Sequence, residues 1–113
     1  MNIIYNKEDK LLKINITEEI DHHSVEKLRQ KIDFEIESHM PKEVVFDFKG
    51  VKFMDSAGIG MIIGRYKIIS MLNGKMKLIN VNRFVKKIFE MSGILKIIPI
   101  IEEEGANIYE KCV

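Results

Sequence analysis

The chain lacks several features that mark particular classes of protein. Among its 113 residues it has one cysteine, Cys112, two prolines and no tryptophan. One thiol cannot form an internal disulfide, which favours a reducing compartment. The N-terminus shows no basic stretch followed by an apolar one, so no signal peptide is visible. Apolar runs such as Ile97–Ile101 are far shorter than the ~20 residues of a membrane span. We therefore expect a cytoplasmic protein.

The chain also lacks an excess of charge of either sign. Eighteen basic residues and seventeen acidic ones give a net charge of +1. A nucleic-acid surface or a polybasic membrane surface needs a strongly basic face, so we expect neither partner. His22 and His23 are adjacent and cannot ligate one metal from the same side of a helix, as residues four apart do. No nucleophile or acid–base constellation is readable, so we predict no catalytic residues, no metal, no cofactor and no enzymatic activity.

What remains is the composition of one globular domain, spanning residues 1–113. The chain is 46% hydrophobic and 31% charged, and its length suits a single core. Hydrophobic patterning and turn residues predict strands and helices in the order β-β-α-β-α-β-α-β-α. The predicted segments are strands Ile3–Tyr5 and Leu11–Ile16, a helix at His23–Glu37, strand Glu43–Phe48, a helix at Ser56–Leu72, strand Met76–Val81, a helix capped by Asn82 and ending at Ser92-Gly93, an edge or irregular strand at Ile97–Ile101, and a terminal helix at Glu102–Cys112.

This alternation predicts an α/β domain with a largely parallel core sheet. The first two strands are joined by a short polar turn, as in a hairpin, so we expect a mixed sheet of four or five strands. About four helices should pack mainly on one side. Asp21 or Ser24 can cap the first helix, and Pro41 prevents that helix from continuing.

The segment Phe53–Gly60 departs from ordinary patterning. It joins a buried strand to a long helix, and ligand sites often form on such loops. Gly58, Gly60 and Gly64 lie in the first turns of that helix, where each costs roughly 1 kcal/mol relative to alanine. Two explanations stay open: close packing of the helix within the domain, or close approach of a partner or a phosphate.

A nucleotide site is the weaker of these explanations. The spacing of Gly58, Gly60 and Gly64 misses the dinucleotide-binding fingerprint by one residue, because Ile63 stands where the third glycine should be. A phosphate-binding Walker loop would need lysine and then serine or threonine after Gly64. A small nucleotide-binding domain therefore remains an alternative.

The same helix has more apolar residues than one face requires. We expect a core stripe made of Ile59, Ile62, Ile63, Tyr66 and Ile69. A second stripe consists of Met61, Ile68 and Leu72. We expect this stripe to be buried against the third helix rather than to form a partner-binding patch.

Ser56 marks the predicted start of this helix. Either Ser56 or Asp55 can serve as the N-cap. A phosphate on Ser56 would lie at the positive end of the helix dipole and change the local charge by about −1.5 to −2. The position therefore tolerates phosphorylation.

Three segments resemble one known family. Asp21–Ser24 is similar to the family's Asp-His-His stretch. Met54–Gly60, followed by Gly64–Lys67, looks like its phosphorylation segment, and Phe89–Ile98 looks like its C-terminal signature. In this order and spacing they resemble the anti-sigma-F factor antagonists of spore-forming bacteria, in the STAS superfamily. The resemblance covers nearly the whole chain and implies a STAS-type fold.

The resemblance also implies a mechanism of partner switching. The unphosphorylated antagonist binds an anti-sigma factor, which is also a serine kinase, and so frees the sigma factor. The kinase inactivates the antagonist by phosphorylating the serine that matches Ser56, and a serine phosphatase reverses the reaction. Asp21 matches an acidic residue beside that serine. The residues implied in partner binding are Asp21, Asp55, Ser56, Ala57, Gly58, Ile59 and Gly60.

One departure from the family pattern reduces the number of candidate phosphorylation sites. The family often has two serines in a row, and here the second position is Ala57, so Ser56 is the only acceptor in the motif. We expect Ser56 to be exposed. We also expect it to lie close to Asp21, because both precede helices that follow strands of one sheet. The nearest alternative function is a STAS regulator of another partner-switching pathway, such as stress response.

Overall fold

The structure, a computed structural model, describes residues 1–101. Within this range it has five strands, three α-helices and one 3₁₀ turn. In chain order these are β1 (Asn2–Asn6), β2 (Leu11–Asn15), α1 (Val25–His39), β3 (Glu43–Asp47), α2 (Ser56–Met71), β4 (Lys75–Ile79), α3 (Arg83–Ser92), the 3₁₀ turn (Ile94–Lys96) and β5 (Ile100–Ile101). The terminal helix predicted at Glu102–Cys112 lies outside the described residues.

The five strands form one mixed sheet in the order β1-β2-β3-β4-β5. The hairpin strands β1 and β2 are antiparallel, and every later neighbour is parallel. Each parallel pair is connected through a helix, and such crossovers are almost always right-handed. Because the strand order always advances in one direction, all three helices fall on the same face. The predicted α/β class and mixed sheet are confirmed.

The main core lies between that face and the helices. The alternation of a strand places Val44 and Phe46 of β3 toward the helices, where they join Leu12 and Ile14 of β2. All four side chains are fully buried. The same cluster contains buried residues of all three helices: Leu28, Ile32, Ile36, Met61, Ile62, Ile69, Val85 and Phe89.

A residue in the left-handed conformation follows each of the three α-helices. α1 ends at His39, two residues beyond the predicted Glu37, and Met40, with φ 48°, follows it directly before Pro41. At α2 the left-handed residue is Asn73, with φ 59°. Gly93, with φ 79°, ends α3 as predicted.

The last apolar run, Ile97–Ile101, was predicted as an edge or irregular strand, and it is irregular up to Pro99. Of this run, Ile100–Ile101 pairs with β4 at the edge of the sheet, and Ile94–Lys96 before it forms a 3₁₀ turn that the sequence did not predict. Pro99 lacks an N–H for a ladder and directly precedes the pairing residues, which explains why the strand begins only at Ile100.

The parallel strands β2, β3 and β4 all end at one edge of the sheet, and each leads there into a loop that precedes a helix. Asp21 and Asn82 lie on two of these loops, and Ser56 follows the third as the first residue of α2. Such an edge is where open α/β sheets usually place their binding sites. Among the described residues, no helix is long and apolar enough to cross a membrane.

Candidate functional site

Two of these loops are fastened side by side by backbone hydrogen bonds. The Ile20 N–H donates to the Phe53 carbonyl at 3.2 Å, and the Asp55 N–H donates to the Ile20 carbonyl at 3.0 Å. Together they make a short parallel bridge between Ile20 and Met54. Asp21 therefore follows immediately after one bonded segment, and Ser56 follows immediately after the other. The expectation that the two loops meet at one edge is confirmed.

Asp21 organises the turn that enters α1. Its Oδ1 accepts hydrogen bonds from the backbone N–H groups of His23 and Ser24, both at 2.9 Å. Hydrogen bonds to the charged form, chiefly the one from Ser24, lower the pKa of the Asp21 carboxyl below its ordinary value. Asp21 is thus ionised at neutral pH. Ser24 occupies the N-cap position but makes no side-chain cap bond, so its hydroxyl is not the cap that the sequence allowed.

Asp55 is the N-cap of α2. Its Oδ1 accepts the Ala57 N–H at 2.8 Å, which satisfies one of the free donors at the helix start. Its Oδ2 accepts the His22 N–H at 3.3 Å and lies 3.6 Å from the His22 Nδ1. One carboxylate thus caps α2 and ties the helix to the neighbouring loop. The role of His22 in this link was not foreseen from the sequence.

Ser56 is the first residue of α2, and its side chain is exposed. Since Asp55 is the cap, the Ser56 hydroxyl is not needed for capping, and it has no hydrogen-bond partner within residues 1–101. The helix therefore fixes the backbone position of Ser56, while the hydroxyl takes part in no hydrogen bond within the described residues. A hydroxyl in this setting is accessible to an enzyme that modifies it.

The three glycines of α2 differ in their surroundings. A Cβ at Gly58 would lie 2.3 Å from the Met54 Cγ and 3.0 Å from the Ile20 Cγ2, so Gly58 is required by packing under the bridge. Within residues 1–101, a Cβ at Gly60 or Gly64 would meet nothing within 4 Å. Close packing within the described residues thus explains Gly58 but does not explain Gly60 or Gly64.

The predicted core stripe of α2 packs against the main core, although its members are buried to different extents. Ile62 and Ile69 are buried, and Ile59, Ile63 and Tyr66 are half-buried against the core. The helix lies between α1 and α3 as well as against β4, so burial is not confined to one stripe. The second stripe is buried as well, as favoured from the sequence: Met61 is a core residue, and Ile68 and Leu72 pack half-buried against the core.

Arg65 is the residue that sequence reasoning missed. It is only 6% exposed, and its Nε lies 2.7 Å from the Asp33 Oδ1 of α1. Asp33 also accepts a hydrogen bond from Arg29 at 3.3 Å. Burial lowers the pKa of the Arg65 guanidinium, and the Asp33 carboxylate acts in the opposite direction. The pair fixes α2 against α1, and a single arginine in an apolar helix gave no signal for it.

Several known proteins are similar to this chain in sequence. The STAS domain model matches residues 2–107. The chain is 37% identical to an anti-sigma F factor antagonist of Paenibacillus polymyxa, covering 83% of this chain and 80% of that protein. It is 29% identical to the anti-sigma-B factor antagonist of Bacillus subtilis, covering 88% and 90%.

Two solved structures of proteins named SpoIIAA are also similar. The anti-sigma factor antagonist SpoIIAA in its unphosphorylated form matches with a TM-score of 0.74 and 30% identity, covering 93% of this chain and 91% of that one. The Bacillus cell fate determinant SpoIIAA in the phosphorylated form matches with a TM-score of 0.65 and 31% identity, covering 87% and 88%.

Proposed function

The chain belongs to the STAS domain family, and we propose that it is an anti-sigma factor antagonist. The similar proteins from Paenibacillus polymyxa and Bacillus subtilis bear that description, and the matches span most of each chain. Higher identity to the sigma-F type than to the sigma-B type supports a role in sporulation over one in stress response. The protein acts by binding an anti-sigma factor and displacing the sigma factor held there.

The switch of this function is phosphorylation of Ser56. The observation that supports it is the exposed hydroxyl on the first residue of α2, which has no hydrogen-bond partner in the part of the chain that the structure describes. A similar protein of the same fold has been solved both with and without phosphate. The anti-sigma factor is itself the serine kinase, and a serine phosphatase restores the active form. Because such a kinase consumes ATP, the exchange takes place in the cytoplasm.

The partner contacts the edge formed by the two bonded loops and the first turns of α2. Asp21 and Asp55 supply carboxylates there, and Asp55 also holds the helix start in place through the Ala57 N–H. Gly60 has open space where a side chain would be, which lets a partner approach the helix backbone. Ile59 is half-buried and packs on the core, so it supports the surface that the partner contacts.

Phosphorylation changes this edge mainly through charge. A phosphate on Ser56 adds about −1.5 to −2 charges directly beside Asp55 and near Asp21. The helix dipole favours the new charge, and the two carboxylates oppose it, so the effect on the fold is small. A partner surface that fits a neutral hydroxyl would have to bury an uncompensated charge, which costs several kcal/mol. The phosphorylated form therefore releases its partner.

The position of Asp55 disfavours the nucleotide-binding alternative. Its carboxylate already accepts the Ala57 N–H at the start of α2, so it occupies a donor that a phosphate group would use. It also places a negative charge where a nucleotide phosphate would lie.

The phosphorylation proposal is tested by incubating the protein with the anti-sigma kinase and ATP. Mass spectrometry should find one added phosphate on a peptide containing Ser56, and Ser56→Ala should accept none. Ser70→Ala is the matched control, because Ser70 is an exposed serine near the other end of the same helix. Phosphate on a different residue, or undiminished labelling of Ser56→Ala, would contradict the proposal.

A further inference from the structure

Two phenylalanines beside the switch stack on each other at the surface. The rings of Phe53 and Phe84 lie 5.9 Å apart between centroids, with 26° between their planes. Phe53 is 42% exposed and Phe84 is 53% exposed. Each ring could gain free energy by further burial, which makes the pair an incomplete apolar contact within the described part of the chain.

The pair is continuous with the phosphorylation edge. Phe53 lies three residues before Ser56, and its carbonyl takes part in the bridge to Ile20. Asn82, the N-cap of α3, donates from its Nδ2 to the Val51 carbonyl at 2.9 Å. The start of α3, which carries Phe84, is therefore fastened to the same loop that carries the switch.

Basic residues lie beside Phe84 on α3: Arg83 precedes it directly, and Lys87 follows three residues later, next to it on the helix surface. Arg83, Lys86 and Lys87 occupy the first two turns of the helix, and no acidic residue lies in its first turn. These three residues line an open recess of about 550 Å³ together with Val81 and Glu90. Cations at a helix N-terminus oppose the helix dipole, and helices ordinarily place acidic residues there. Residues that reduce the stability of a helix are expected where they serve a function.

We propose that Phe53 and Phe84 form an apolar anchor for a second contact with the anti-sigma factor, which presents an acidic surface to the basic residues beside that anchor. The proposal rests on the proposed function and extends its interface from α2 to α3. Interfaces commonly combine aromatic anchors at their centre with a charged rim. An acidic partner fits because Arg83 and Lys87 lie beside Phe84 on α3, and opposite charges on the two surfaces speed their encounter.

Two variants test the two parts of the contact. Phe84→Ala should raise the Kd for the anti-sigma factor about tenfold, mainly through faster dissociation, as for an interface anchor. Lys87→Glu should slow association and reduce its dependence on salt. The matched controls lie on α1: Phe34→Ala removes a phenylalanine that is 66% exposed, and Lys31→Glu reverses an exposed lysine. Both controls should change the Kd less than twofold.

The measurement uses purified full-length protein and anti-sigma factor in surface plasmon resonance at two salt concentrations, with circular dichroism of each variant. If the unsubstituted protein fails to bind, the proposed function itself is wrong. If it binds and Phe84→Ala behaves like Phe34→Ala, the interface does not reach α3 and this inference alone is overturned. Unchanged association of Lys87→Glu would overturn the acidic partner surface. Binding to phosphatidylglycerol vesicles that needs Phe84, with unaltered anti-sigma binding, would assign the patch to a membrane and also overturn it.

Discussion

Replacing the two outward glycines of α2 with alanine should stabilise the protein while weakening its partner binding. Among the described residues, a Cβ at Gly60 or Gly64 has nothing within 4 Å, so neither alanine clashes with this part of the chain. Alanine in place of glycine in a helix interior gains roughly 0.5–1 kcal/mol, mainly by restricting the unfolded chain. The double variant should therefore gain about 1–2 kcal/mol in free energy of unfolding. In a chain of this size that corresponds to a rise in Tm of roughly 4–8 °C.

Gly58→Ala is the matched control, and its effect should have the opposite sign. The new methyl would lie 2.3 Å from the Cγ and 2.5 Å from the Sδ of Met54, whose side chain is fully buried. Forcing a group into a packed site costs about 1–3 kcal/mol. After subtraction of the helix gain of about 1 kcal/mol, a net destabilisation of about 1 kcal/mol is expected.

Urea denaturation followed by circular dichroism measures these differences, since the unfolding free energy is extrapolated to water. The anti-sigma factor should bind the double variant about tenfold more weakly, because the two methyl groups project from the face that begins with Ser56. A double variant that is less stable than the natural sequence would refute the open environment of Gly60 and Gly64. Stabilisation with unchanged binding would show that the partner does not contact this face.

Three further substitutions test the ion pairs and caps of the site. Asp33→Ala should cost about 3 kcal/mol of unfolding free energy by thermal or urea denaturation, because it leaves Arg65 with a buried charge; a cost below 1 kcal/mol would show that the pair is dispensable. Asp55→Ala removes the N-cap of α2 and should cost about 1 kcal/mol in the same assay, and no loss would contradict the capping role. The Ser24 N–H lowers the pKa of the Asp21 carboxyl below its ordinary value of 3.8. The ionised carboxylate therefore stabilises the folded protein fully above that pH, and this stabilisation is lost as the pH falls through the folded pKa. The difference in unfolding free energy between the natural protein and Asp21→Asn should shrink over that range, and a pH-independent difference would refute the role of the carboxylate.

Regular patterning made most of the fold predictable. Hydrophobic patterning predicted a helix at His23–Glu37, and the structure has α1 from Val25 to His39. The start of α2 at Ser56 was also predicted correctly, because a cap and a glycine-rich turn follow a continuous apolar strand. Local sequence carries this information since capping and periodicity depend on near neighbours.

What could not be predicted depends on contacts between distant segments. The bond from His22 to Asp55 and the pair between Arg65 and Asp33 join residues that are about thirty positions apart. The choice of Asp55 over its neighbour as the cap was likewise left open, because both side chains can reach the free N–H groups. Only the folded chain shows which glycine is needed for packing: Gly58 contacts the bridge, and the others face outward.

The central claim is that phosphate on Ser56 controls partner binding without unfolding the domain. Its most direct test compares the Kd of the anti-sigma factor for the unphosphorylated and the phosphorylated protein, with circular dichroism of both forms. A cost of about 4 kcal/mol for placing an uncompensated charge at the interface predicts a loss of affinity of about a thousandfold with unchanged helix content. Equal affinities for the two forms would contradict the switch, and a loss of helix content would mean that the phosphate acts by unfolding α2.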